Sequence, residues 1–258
     1  MKLINQTQNT LHHLAQFLAA FSNSYLQKED DDSQSNIGWS VVKKAMVSRS
    51  VDGVHLELSY PNVTLKIIKE ETTVAQTTLS GMSRAAIDSW IRKNLEILSL
   101  DSNKFNYELG FSLDTSFSNF SIMDDETMAS IQQLIQHRTI AQKALEKLAK
   151  AYAYPTEIRV WPHHFDTGML IDLSDDQTLS KGLGLGYAIA DSVSNVPYFY
   201  TYAWGNDTID YKQLPPLANG KWATGDWKGA LLRADELFDL KAVESFYQGA
   251  SYLLSELL

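Results

Sequence analysis

A change of hydrophobic period constrains this chain more than any other feature. Leu11, Leu14, Leu18 and Phe21 recur at three- and four-residue spacing, which lays an apolar stripe along a helix over about residues 8–26. Over residues 39–79 the period becomes two, and Asp52-Gly53 and Pro61-Asn62 stand as turn signals between the β-rich runs 54–60 and 63–68. A pattern of one period cannot bury its apolar residues in the other conformation, so the segment is expected to form an antiparallel meander beside a helix.

The same alternation of periods continues. Ile87, Trp90, Ile91, Leu95 and Leu98 mark a second helix, and residues 104–113 alternate as a strand. Asp124, Asp125 and Thr127 supply the cap and first-turn acids of a long helix whose stripe (Met128, Ile131, Leu134, Ile135, Leu145, Leu148, Tyr152) reaches about residue 152, ahead of Pro155. Residues 157–173, 182–190 and 197–204 read as strands, residues 205–228 as a long ordered loop punctuated by Gly205, Pro215-Pro216 and Gly220, and a last helix from near Ala234 buries Leu237, Val243, Phe246, Tyr247, Ala250, Leu253 and Leu254. The expected class is α+β, with antiparallel sheets covered by helices. Both halves, 1–120 and 121–258, share an order of helix, strands and helix, which fits either a duplication or one continuous domain.

Composition removes several functions. A formal net charge of −9 without any Lys/Arg cluster repels a phosphate backbone, so nucleic acid is not an expected partner. The absence of cysteine excludes disulfides, thiolate nucleophiles and cysteine-ligated metals. The N-terminus lacks the basic and apolar regions of a signal peptide, and no run approaches the roughly 20 apolar residues of a bilayer span; a cytoplasmic protein off the membrane is expected. The acidic run 29–32 reads as a solvated loop.

Three segments carry candidate chemistry. In Trp161-Pro162-His163-His164-Phe165-Asp166, a strand would bring His164 and Asp166 to one face about 6 to 7 Å apart, as a general base and its orienting carboxylate or as two metal ligands. His163 and Asp191 are the further metal candidates, and Asp226 and His137 the more distant ones; packing of His164 against Asp166 within a core is the structural reading. Gly182, Gly184, Gly186, Ala188 and Ala190 leave one strand face bare, open to a helix, to a neighbouring strand's bulky residue or to a flat ligand. Their spacing fails the dinucleotide fingerprint at Tyr187 and Ile189, and neither a phosphate loop nor a nucleophile elbow occurs. Tyr198, Tyr200, Tyr202 and Trp204 alternate along one strand face, with Trp222 and Trp227 beyond, as an aromatic core or as a platform for sugars, nucleobases or other flat polar ligands.

Trp161 with Phe165-Asp166, the pattern Pro197-x-Phe199-Tyr200-x-Tyr202-Ala203, and Gly229-Ala230-Leu231-Leu232 together resemble a family of bacterial proteins defined only as a domain of unknown function. The resemblance implies that Asp166 and the aromatic strand are shared features, as fold determinants or as a pocket, and that His163 and His164 occupy variable positions. It implies no activity.

These residues lead to one expectation and two alternatives. The expectation is a binding protein whose aromatic-lined site (Trp161, His163, Tyr198, Tyr200, Trp204, Trp222, Trp227) takes a small polar ligand or a protein partner. The alternatives are a metal-assisted or general-base hydrolase built on His164 and Asp166, and an interaction protein without a small-molecule site. No cofactor is indicated.

Overall fold

The first helix, α1 (Lys2–Tyr25), starts well before its apolar stripe, because no Pro or Gly interrupts its first turns. Its buried surface is also wider than the stripe: Thr7, Gln8, His12 and Gln16 are buried beside Leu11, Leu14 and Leu18. A computed structural model describes residues 2–113, 124–235 and 239–258. In it the chain is an α+β protein with two antiparallel sheets, and it divides into two compact units, residues 1–135 with 160–165, and residues 136–159 with 166–258.

The first unit carries the expected meander. Strands β1 (Gly38–Ser40), β2 (Ala45–Val47), β3 (Val54–Ser59), β4 (Thr64–Lys69) and β5 (Thr72–Thr78) lie in chain order. Asp52 and Gly53 both take positive φ (48° and 77°), which matches the twist a two-residue hairpin needs. Leu56, Leu58 and Ile67 are fully buried, and α1 packs on β3. Helix α2 (Arg84–Ile97) is capped by the Ser83 side chain, which accepts from the Ala86 N–H, and buries Ile87, Ile91 and Leu95.

Residues 104–113 are not a strand. A short 3-10 turn (Ser102–Lys104) opens the segment, and side chains take the backbone acceptors a ladder would have used. Arg92 donates to the carbonyls of Ser102 (2.5 Å) and Phe105 (2.7 Å), Asn23 to that of Glu108 and Tyr25 to that of Asp101. Arg92 also pairs with Asp88. The alternation still shows in burial: Phe105 is buried and Tyr107, Leu109, Phe111 and Leu113 are half-buried, with exposed residues between them.

The second unit holds most of α3 (Asp125–Ala149), whose first turn is capped by Asp124 accepting from the Thr127 N–H at 2.7 Å. Strands β6 (Arg159–Val160), β7 (Thr167–Asp172), β8 (Gly182–Ala188), β9 (Tyr198–Trp204), β10 (Lys221–Thr224) and β11 (Lys228–Arg233) form a sheet in the order β10-β11-β9-β8-β7-β6. The expected loop 205–228 therefore contains an edge strand: Trp222 and Ala223 pair with Ala230 and Gly229 across a three-residue turn, Gly225-Asp226-Trp227. Helix α4 (Leu240–Ser255) starts later than expected, with Asp239 capping the Ala242 N–H; Leu237 lies outside the described residues.

The two faces of this sheet differ. Met169, Ile171, Leu183, Leu185, Tyr187, Phe199, Ala230 and Leu232 point to one side and pack with Ile140, Ala141, Ala144, Leu145 and Leu148 of α3 and Val243, Phe246, Tyr247, Ala250 and Leu254 of α4. Glycines and aromatic rings occupy the other.

On the helix-covered side His137 is buried, with Nδ1 3.1 Å from the Tyr187 hydroxyl, and the neighbouring Arg138 donates to Thr167 Oγ1 at 2.7 Å. Burial first, and then the charge of Arg138, lower the His137 pKa to about 4. The folded state binds fewer protons here than the unfolded state, whose histidine titrates near 6.5, so the stability is complete above about pH 6.5 and falls as the pH drops towards 4. Between pH 7.5 and 5 the wild type is expected to lose about 2 kcal/mol through this group. Chemical denaturation of His137→Gln should lack that portion of the pH dependence; identical pH profiles would contradict the assignment.

Candidate functional site

The aromatic strand is set directly on the glycine strand. Register across β8 and β9 pairs Gly182 with Trp204, Gly184 with Tyr202, Gly186 with Tyr200 and Ala188 with Tyr198. A Cβ at Gly184 would lie 2.3 Å from the Tyr202 ring, one at Gly186 2.6 Å from the Tyr200 hydroxyl, and one at Gly182 2.6 Å from the Trp204 ring. Each ring thus fills the space that a side chain on the neighbouring strand would need. Cross-strand pairs of aromatic residue and glycine restore the packing that a glycine strand lacks. Trp227 repeats the device over Gly229, where a Cβ would meet its ring at 2.5 Å.

The result is a row of rings on the face opposite the helices. Successive centroids lie 6.2 Å (Tyr198–Tyr200), 6.1 Å (Tyr200–Tyr202) and 6.0 Å (Tyr202–Trp204) apart, with interplanar angles of 57°, 29° and 46°. Tyr198 is buried, and Tyr200, Tyr202 and Trp204 are half-buried. Hydrogen bonds fix three of the four: Tyr198 donates to Asp191 (2.8 Å), Tyr200 to Asp166 (2.5 Å) and Trp204 Nε1 to the Leu179 carbonyl (2.8 Å). The Tyr202 hydroxyl has no protein partner among the described residues. Burial, followed by the charge of Asp166, raises the Tyr200 and Tyr202 pKa values, so both phenols stay neutral.

Asp166 therefore works with Tyr200. The strand geometry expected to align it with His164 is absent, because residues 162–164 form a turn closed by the Phe165 N–H on the Trp161 carbonyl (2.7 Å), with Phe165 at φ 58°. His163 and His164 are exposed, with ring centroids 4.2 Å apart, and Phe111 lies 5.8 Å from His163. Trp161 leads into the same turn. In the first unit α1 holds this turn: His12 Nε2 (2.7 Å) and Gln16 Nε2 (3.0 Å) both donate to the Pro162 carbonyl, and the His12 ring stacks on Phe165 at 4.6 Å. Among the described residues, no three His, Asp or Glu side chains gather as a metal site would require. Asp191, the remaining metal candidate, accepts from Tyr198 and from the N–H groups of Val193 and Ser194. Asp226 is an exposed turn residue.

Trp222 sits apart from the row. It contacts Tyr211 at 5.9 Å, and the two line a shallow cleft of about 450 Å³ with Lys212, Leu214, Leu217 and Lys221. The indole donor in this cleft is already engaged, since Trp222 Nε1 donates to the Pro215 carbonyl.

One constellation escaped the sequence. His55 Nε2 lies 3.2 Å from the buried Glu57 carboxylate, which also accepts from Lys43. This is a strand-spaced pair of histidine and acid, the geometry sought at His164 and Asp166, and the spacing of His55 and Glu57 within the β-rich run 54–60 was its signal. Compared with known proteins, the chain matches no family model, no curated protein and no solved structure.

If the rings replace missing side chains, glycine and ring are coupled. Gly184→Ala is expected to cost about 1–3 kcal/mol in the wild type and less in a Tyr202→Ala background, where the added methyl has room. Equal costs in both backgrounds, by urea denaturation, would show that the ring does not occupy the glycine face.

Proposed function

We propose that this is a cytoplasmic binding protein that receives a small polar ligand on the aromatic row of its second unit, and that it belongs with the domain-of-unknown-function proteins it resembles. One observation carries the reading. Tyr200, Tyr202 and Trp204 form a half-buried row of rings held in place before any ligand arrives, by glycines beneath them and by hydrogen bonds at two of their tips. Rings already fixed lose little side-chain entropy on binding, and their polar edges supply orientation. The Tyr202 hydroxyl remains able both to donate and to accept.

The charge supports the exclusion of nucleic acid, because Asp166 and Asp191 bear on the row in a protein of net charge −9. No helix among the described residues is long and apolar enough to cross a membrane. The Trp222 cleft is the less favoured location, since its indole donor is already taken.

Screening of uncharged sugars, nucleosides, amino acids and quaternary amines by thermal shift tests the reading. At tenfold excess over its Kd a ligand stabilises by about 1.4 kcal/mol, a rise in Tm of a few degrees for a chain of this size. The rise is expected to shrink in Tyr202→Phe and Trp204→Phe and to persist in Trp222→Phe. No stabilisation by any class, or stabilisation lost only in Trp222→Phe, would overturn it.

A further inference from the structure

We propose that the ligand is a neutral saccharide chain of at least two rings; this rests on the row being the binding site. The shape of the row comes first. Its ring contacts run along it, each of the inner rings touching its neighbours at 6.0 to 6.2 Å, and among the described residues no further ring faces Tyr202. A single planar heterocycle gains most from a slot with two aromatic walls, and would cover one member of this row. A ligand that is itself a row of rings can engage several members at once, since successive rings are tilted by only 29° to 57° against each other.

The polar groups then select among such ligands. Pyranose rings present apolar C–H faces to an aromatic surface and a rim of hydroxyl donors around it. Asp166 and Asp191 hold the tips of Tyr200 and Tyr198 and place two negative charges beside the row, Asp191 also accepting from the Val193 and Ser194 N–H groups. The same carboxylates disfavour phosphates and uronates. The Tyr202 hydroxyl, on the ring between Tyr200 and Trp204, can bond a sugar hydroxyl in either sense. A neutral, polyhydroxylated chain is what this set recognises.

Native affinity electrophoresis of the full chain tests the proposal, with gels containing a soluble β-linked glucan, a mannan, a xylan or, as the anionic control, a polyuronate. Retardation by at least one neutral polysaccharide and none by the polyuronate is expected, with a trisaccharide of that glycan competing about tenfold better than its monosaccharide. Trp204→Ala should weaken the apparent association about tenfold and Tyr202→Phe by a smaller factor, both variants being checked for cooperative thermal unfolding. Retardation unchanged in both variants would place any saccharide elsewhere and overturn the proposal. Absence of retardation, with row-dependent stabilisation by a small planar or cationic compound, would overturn the saccharide class and leave the binding reading standing. Absence of both would overturn the two together.

Discussion

The second unit depends on a steric exchange between two adjacent strands. Strand β8 gives up its side chains at Gly182, Gly184 and Gly186, and β9 fills the vacated surface with Trp204, Tyr202 and Tyr200 in register. Neither strand is a sound outer face alone: a glycine strand is entropically costly and presents nothing to pack, and a row of large rings needs a floor. Together they make a surface in which every ring is supported. A one-residue slip of this pairing would set Leu183 and Leu185 against the rings and turn the core residues outward, so the pairing also holds the register of the sheet.

The opposite face makes this arrangement affordable. Leu183, Leu185, Tyr187 and Phe199 bury against α3 and α4, supplying the hydrophobic stabilisation that the glycine positions lack. Tyr247 adds a direct link through the sheet, donating to the Gly186 carbonyl at 2.8 Å. A surface built on such a sheet is rigid, as the proposed binding of a ligand on the rings requires. The same ring that covers a glycine on one side offers its other side outward.

The meander, α2, the capped start of α3 and the strand character of β8 and β9 were legible because period, turn chemistry and caps agree at those positions. The partnership of glycines and rings was legible only in halves. Alternation predicts a bare face and an aromatic face, but register, which pairs Gly184 with Tyr202, is a tertiary property. Where local pattern misled, a specific competitor prevailed. Arg92 and Asn23 took the Phe105 and Glu108 carbonyls that a strand over residues 104–113 would have used, and His12 and Gln16 took the Pro162 carbonyl of a hexapeptide that folds as a turn. Conversely, the punctuation at Gly205, Pro215-Pro216 and Gly220 hid β10, which is only four residues long and starts directly after Gly220.

Nuclear Overhauser effects from the ring protons of Tyr202 and Trp204, recorded without ligand and with a neutral trisaccharide, test the central claim most directly. The account predicts strong contacts from Tyr202 to the Gly184 Hα protons and from Trp204 to those of Gly182 in both samples, with intermolecular contacts to sugar protons appearing on the same rings. Rings without glycine contacts, or sugar contacts confined to Tyr211 and Trp222, would contradict it.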